Sequence, residues 1–345
     1  MHRSHLTDRS LGTLLMTVKS QSQRWRRLDV TIPSNFEEIL FSPLRMKDVA
    51  ILEHASIRTW ESSSNHARNE LQFSLSAAPR LECVVLRSNI RVTFDGPVQH
   101  SLKHLTFHRD YDVKTHQADL GACLKQYPFL QTLSYPLHSS SLPKTLPAIL
   151  NHTHIQSLNL RIHMGCDLGL LFHHLILPAL TDLVLDIEDD WIPKKNWPHL
   201  LTLLKHSRPP LTSLTLIGFP TMERNLIECL KCTTDLRKLT ARAVGCTDAT
   251  LKALTVNDSD PSSILCPRLQ CLDLGVDSCF SLEAKKALIL SRWGGHGHGS
   301  HSSLVPGKEL TELWASYKPD VNDISTDPAI AKCISEGFCL DFEWW

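Results

Sequence analysis

Leu236-Arg237-Lys238-Leu239-Thr240-Ala241-Arg242-Ala243-Val244-Gly245-Cys246-Thr247-Asp248-Ala249-Thr250-Leu251-Lys252-Ala253-Leu254 is the stretch whose reading decides the fold. Apolar residues stand at 236, 239 and 241. Residues two apart leave a strand on the same side, so Leu239 and Ala241 share one face of a short strand and Leu236 packs at the turn into it. Thr247 and Asp248 then offer side-chain oxygens to early helical N–H groups, which suits a helix start. Leu251 and Leu254, three apart, share one side of that helix.

The strand part of this unit recurs along the chain. It reads Trp25, Leu28, Val30; Leu52, Ala55, Ile57; Leu81, Val84, Leu86; Leu102, Leu105, Phe107; and Leu130, Leu133, Tyr135. It continues as Ile155, Leu158, Leu160; Leu180, Leu183, Leu185; Leu211, Leu214, Leu216; then the stretch quoted above; Leu269, Leu272, Leu274; and, more weakly, Leu310, Leu313, Ala315. Most steps lie near the period of leucine-rich repeats. One unit cannot bury its apolar edge, but stacked units bury a continuous core. The expected fold is therefore α/β: a leucine-rich-repeat solenoid with a curved parallel sheet on the concave side and helices on the convex side. A leucine-rich helical solenoid is the competing architecture. The polar breaks after each triplet speak against it.

The segments between triplets read as helices. Over 10–19, Leu11, Leu14, Leu15 and Val18 fall on one face, after Thr7 or Asp8 as a cap. Leu200, Leu201, Leu203 and Leu204 precede the Pro209-Pro210 break, Met222–Leu230 carries Leu226, Ile227 and Leu230, and Leu282–Leu290 is similar. Proline often stands just before a triplet, as Pro79, Pro128, Pro178, Pro210 and Pro267, where it stops the helix and extends the chain. The expected organisation is a capping helix region over 1–23, an array of ten or eleven irregular units over 24–320 with an inserted loop at 294–307, and a C-terminal cap over 321–345. In that cap Phe338, Leu340, Phe342 and Trp344 alternate as a strand does.

Composition agrees with a stereotyped core. Of 345 residues 56 are leucine, and aromatics make up only 7%. Lys+Arg and Asp+Glu number 36 each, so the formal charge is zero. That balance excludes nucleic-acid binding driven by phosphate electrostatics. The N-terminus MHRSHLTDRS has no apolar signal region, and the longest apolar stretch, 168–180, is interrupted by His173, His174 and Pro178. A cytoplasmic or nuclear protein without membrane contact is expected, its eleven cysteines mostly reduced thiols.

The quoted stretch resembles the cysteine-containing leucine-rich repeat of many F-box proteins. The resemblance implies that Cys246 packs under the turn after the strand and that the Thr247-Asp248 pair caps the helix. Asn89 alone stands at the usual asparagine position. A wider resemblance starts at Ser20-Gln21-Ser22-Gln23-Arg24-Trp25-Arg26-Arg27-Leu28-Asp29-Val30-Thr31-Ile32-Pro33, which looks like the opening of the repeat region in large F-box-like families of mushroom-forming fungi. It covers roughly residues 5–320. It implies recognition of a protein substrate for an SCF-type ubiquitin ligase. No segment of the chain reads as the F-box itself, so an SCF adaptor and cullin become partners if a box is supplied upstream. A free-standing repeat scaffold without a ligase role is the alternative.

Chemistry-bearing clusters are few. Cys229 and Cys232 have zinc-ligand spacing, but no second pair accompanies them, so structural thiols are expected. The His-Gly run 294–301 reads as a surface loop, and Glu188-Asp189-Asp190-Trp191 as a solvated one. Arg24, Arg26 and Arg27 flank Trp25 as the charges of an edge strand. No hydrolase, metalloprotease or nucleotide-binding motif is present, so no enzyme activity, cofactor or metal is expected. The expected binding surface is the concave strand face. It carries His104, Thr106, Ser157, Asn159, Asp182, Ser213, Thr215, Lys238, Thr240, Asp273 and Trp314. That set is polar and mixed in charge, which suits a protein partner more than an enclosed small-molecule pocket.

Overall fold

A computed structural model of the chain describes residues 8–36, 39–40, 42–43, 49–60, 72–74, 78–87, 91–93, 98, 101–108, 117–137, 149–163, 166, 168–187, 198–219, 221–257, 264–275, 280–294, 307–316 and 324–343. Asn89, the run 188–191 and most of the His-Gly run lie outside the described residues. Residues 1–155 and 156–345 form two compact units.

In the first unit, helix α1 (Asp8–Lys19) precedes β1 (Arg27–Pro33), β2 (His54–Trp60), β3 (Cys83–Arg87) and β4 (His104–Phe107). Helix α2 (Gln117–Gln126) then leads to β5 (Thr132–Leu137). Each of the five strands pairs in parallel with the next. The register aligns Leu28, Ala55, Val84, Leu105 and Leu133 in one row, all buried. The basic strand opening also acquires a partner: Arg26 Nε donates to Glu53 Oε2 at 2.7 Å while Trp25 is buried. Two expectations change here. Val30 is only half-buried, and Leu14 is 52% exposed. Helix α1 buries a narrow stripe centred on Leu15, with Leu11 and Val18 beside it, and Leu14 falls about 100° off that stripe.

In the second unit, β6 (Ser157–Ile162), α3 (Gly169–His174), β7 (Asp182–Ile187), α4 (His199–Ser207), β8 (Ser213–Ile217) and α5 (Glu223–Lys231) follow in order. Then come β9 (Lys238–Arg242), α6 (Asp248–Leu254), β10 (Cys271–Asp273), α7 (Leu282–Arg292), β11 (Glu312–Ser316), α8 (Pro328–Ser335) and β12 (Cys339–Glu343). These seven strands are parallel, each beside the next. Leu158, Leu183, Leu214, Leu239, Leu272 and Leu313 form one buried row. Parallel strands need crossovers, and the helices between them supply these. The fold is the α/β leucine-rich-repeat solenoid. The leading residues of all eleven triplets are buried, each contributing about 1.5–3 kcal/mol of hydrophobic stabilisation.

The prolines before the strands turn the chain; Pro128 and Pro210 also follow closely on helices α2 and α4, whereas Pro79, Pro178 and Pro267 do not directly follow a described helix. Leu81, Leu130, Leu180 and Leu269 donate their N–H to Ala78, Tyr127, Leu177 and Cys266 at 3.0–3.3 Å, which places Pro79, Pro128, Pro178 and Pro267 second in a four-residue turn. A fixed φ near −65° suits that position.

On the helix side, the caps run between repeats. Thr247 is the N-cap of α6 and accepts from Ala249 N at 3.2 Å, while Cys246, Leu251 and Leu254 are buried. The Glu223 carboxylate of α5 accepts at the same helix start from Thr247 N (2.8 Å) and Thr250 N (2.9 Å), and from both hydroxyls. Burial raises the Glu223 pKa, but those hydrogen bonds outweigh it and hold the carboxyl below its ordinary value. Asp248 is lowered by its bonds from Ser281, and Asp327 by Lys286 at 2.5 Å. A carboxyl with a depressed folded pKa contributes its stability above the unfolded value, about 4, and loses it as pH falls through the folded value. The melting temperature should therefore hold from neutral pH to about pH 5 and fall below about pH 4. Glu223→Gln should cost about 1 kcal/mol at neutral pH and flatten part of the acid loss. An unchanged acid profile in a thermal scan of this variant would remove the cap from the account.

Strand β12 pairs with β11, with Cys339 opposite Glu312. Phe338 is buried and its ring meets Trp293 edge-on at 5.5 Å. Deleting 338–345 strips hydrogen-bond partners from β11 and uncovers Trp293. A lower melting temperature is expected, and an equal one would deny the segment a capping role.

Candidate strand-face binding site

The register carries the expected face residues into rows. Ser157, Asp182, Ser213 and Lys238 stand opposite one another, and Cys271 and Glu312 continue that row. Two residues along, Asn159, Val184, Thr215, Thr240, Asp273 and Trp314 form a second row. His104 and Thr106 lie on the corresponding face of the first unit, with His104 Nδ1 and the Thr132 hydroxyl 3.2 Å apart. Most of these side chains are half-buried or exposed. Thr240 departs from the expectation: it is on the face but only 7% exposed. Its short side chain sits in register between Thr215 and Asp273 and offers a partner little surface.

One part of the face spans β9 to β11. Lys238, Leu239, Arg242, Cys271, Asp273, Glu312 and Trp314 line a pocket of 210 Å³ there. Arg242 Nε and Nη2 each donate to Asp273 Oδ2 at 2.8 Å. The other Asp273 oxygen accepts from Gly275 N at 3.0 Å. Gly275 has φ +67, and a Cβ there would stand 3.1 Å from the Arg242 Cα, so glycine serves both the left-handed turn and the close approach. Glu312 is likewise occupied at both oxygens. Trp314 Nε1 donates to Oε1 at 2.5 Å and the Cys271 thiol donates to Oε2 at 3.0 Å. Burial, and then the neighbouring Glu312 carboxylate, push the Cys271 thiol up to about 11, so it stays protonated at neutral pH.

Arg242, Cys271 and Glu312 did not stand out in the sequence, although a signal was there. They sit two residues along, or one strand across, from residues on the expected face, so extending its period-two alternation reaches them. The Cys229 and Cys232 thiols are not brought together with further ligands: Cys229 is buried in α5, its pKa pushed up to about 12 by burial, and no metal-holding cluster occurs among the described residues. Nor is any described helix long and apolar enough to cross a membrane.

No family model and no curated protein matches this chain. Among solved structures, the crystal structure of a TLR13–ssRNA13 complex is similar at a TM-score of 0.39 and 16% identity, over 84% of this chain and 48% of that one. The chain thus spans about half the length of the solved chain it matches.

Proposed function

We propose that this protein is a non-catalytic protein–protein interaction module that binds through its strand face. The observation that carries this reading is the in-register alignment of polar side chains in two rows across β6 to β11. The first row sets Asp182, Lys238 and Glu312 between the hydroxyls of Ser157 and Ser213 and the Cys271 thiol, a mixture of charges that selects a complementary protein surface. Within this reading the module presents a protein substrate to an SCF-type ubiquitin ligase, with adaptor and cullin engaged through an F-box supplied upstream. The Cys246-Thr247-Asp248 unit and its resemblance to F-box repeat proteins support that finer assignment.

Affinity purification of the full chain from cells, with mass spectrometry of co-purifying proteins, tests both levels. The expected result is an adaptor, a cullin and a protein substrate. Asp182→Lys with Lys238→Glu should reduce the substrate about tenfold and leave the adaptor in place. A reproducible partner without adaptor or cullin would assign a free-standing scaffold. A partner indifferent to the double variant would move the binding surface off the strand face.

A further inference from the structure

Four arginines stand fifth in their strands: Arg58 on β2, Arg87 on β3, Arg161 on β6 and Arg242 on β9. In the second unit each meets a carboxylate of the neighbouring strand. Arg161 Nε lies 4.0 Å from Asp186 Oδ2, and Arg242 donates to Asp273 Oδ2 at 2.8 Å. In the first unit neither arginine has such a partner. Arg58 and Arg87 make no hydrogen bond or ion pair among the described residues. They are in register on adjacent parallel strands, about 4.8 Å apart, so two like charges stand side by side without a described anion to offset them.

The other charges around them cancel. Where the strands begin, Arg26 pairs with Glu53 at 2.7 Å and Lys103 with Glu82 at 3.2 Å. On β1, Arg27 lies 4.0 Å from Asp29. His54 and His104 share the face and bring no acid. Among the described side chains of β1 to β5, the positive charge of Arg58 and Arg87 is therefore left over. Arg58 is exposed and Arg87 half-buried, and the row beside them holds only the short side chains of Ser56, Val85 and Thr106. A partner segment can lie across β2 to β4 and reach both guanidinium groups. The second unit shows what this strand position takes, one carboxylate to one guanidinium, and an arginine fork matches a carboxylate in shape as well as charge. A single phosphate would have to draw an exposed and a half-buried arginine to one point. A nucleic-acid strand needs cations along its length, and two are too few.

Resting on the strand-face reading above, we infer that the strand face of the first unit binds an acidic segment of the partner protein. Two Asp or Glu side chains of that segment take the places beside Arg58 and Arg87 that Asp186 and Asp273 take beside Arg161 and Arg242.

The test uses the full-length chain and fluorescent probes read by anisotropy: decaglutamate, decaglutamine, decaglutamine carrying one phosphoserine, decalysine, and an oligothymidylate of similar length. Decaglutamate should bind, decaglutamine should not, and added salt should weaken the complex. Arg58→Glu with Arg87→Glu should weaken decaglutamate at least about tenfold and turn the preference toward decalysine. Lys125→Glu, an exposed charge reversal on α2 of the same unit, should leave binding unchanged. Neither arginine holds another side chain in place, so the double variant should fold, and thermal melts verify that. Binding indifferent to the double variant, tighter binding of the phosphoserine probe or of oligothymidylate than of decaglutamate, or no binding of decaglutamate would each overturn the acidic-segment site. The strand-face reading is judged separately, by capture of the cellular partner. A partner lost on Asp182→Lys with Lys238→Glu but retained on Arg58→Glu with Arg87→Glu would overturn this site alone, and a partner indifferent to both double variants would overturn both readings.

Discussion

Arg292→Ala is expected to destabilise the second unit by about 3–5 kcal/mol, read from the denaturant midpoint. Arg292 is the last residue of α7 and is 0% exposed. Its guanidinium donates to the backbone carbonyls of Leu254 at 2.5 Å, Cys266 at 3.0 Å, and Leu265. Leu254 ends α6, where the last carbonyls have no helical partner, and Cys266 sits in a left-handed turn before β10. One side chain therefore ties α7 to the end of α6 and to the turn that starts the next strand. Burial pulls its pKa down to about 10, which leaves it charged at neutral pH. Alanine would take the side-chain donor from the Leu254 and Leu265 carbonyls, leave Cys266 O with only the Leu269 N–H, and open a cavity the size of the side chain. Arg292→Met separates these causes, because it fills the space and supplies no donor. It should recover the cavity part only. Arg292→Lys should do little better, since an ammonium cannot span three acceptors in a planar fork. A loss below about 1 kcal/mol for alanine would mean that water satisfies those carbonyls and the clamp is dispensable.

Leu239→Ala should cost about 2–5 kcal/mol, and Thr215→Ala less than about 0.5 kcal/mol. Leu239 is 0% exposed, in the row between Leu214 and Leu272. Thr215 is half-buried on the opposite face of the neighbouring strand. The pair tests register directly, because a one-residue slip exchanges the two faces. Equal losses at the two positions would refute the register and with it the binding face. Leu214→Ala combined with Leu239→Ala should be non-additive, since neighbouring units share one cavity. Because each repeat touches mainly its neighbours, the damage should spread as local opening around β9 before global unfolding, visible in hydrogen exchange.

Residue spacing alone determined where the strands lie. Two apolar positions at period two, preceded by a third, are local facts, and all eleven such triplets lead into the parallel strands observed. The Thr247 cap was equally legible, because an N-cap bond reaches only two residues ahead. What the local pattern did not hold is what passes between repeats. Glu223 reaches Thr247 and Thr250 across 24 and 27 residues, and Arg292 reaches Leu254 across 38. The burial of Thr240 and the pairing of Arg242 with Asp273 arise in the same way, from how one unit stacks on the next. The steps between units range from 21 to 41 residues, so no fixed offset relates a side chain to its partner in the neighbouring unit. Period-two alternation is a property of the chain, and it placed the eleven triplet strands of the main sheet and most of the residues on their two faces, Val30 and Thr240 excepted. The pocket lined by Lys238 and Trp314 is a property of three strands held side by side, and only tertiary stacking decided which of its charged groups pair with one another.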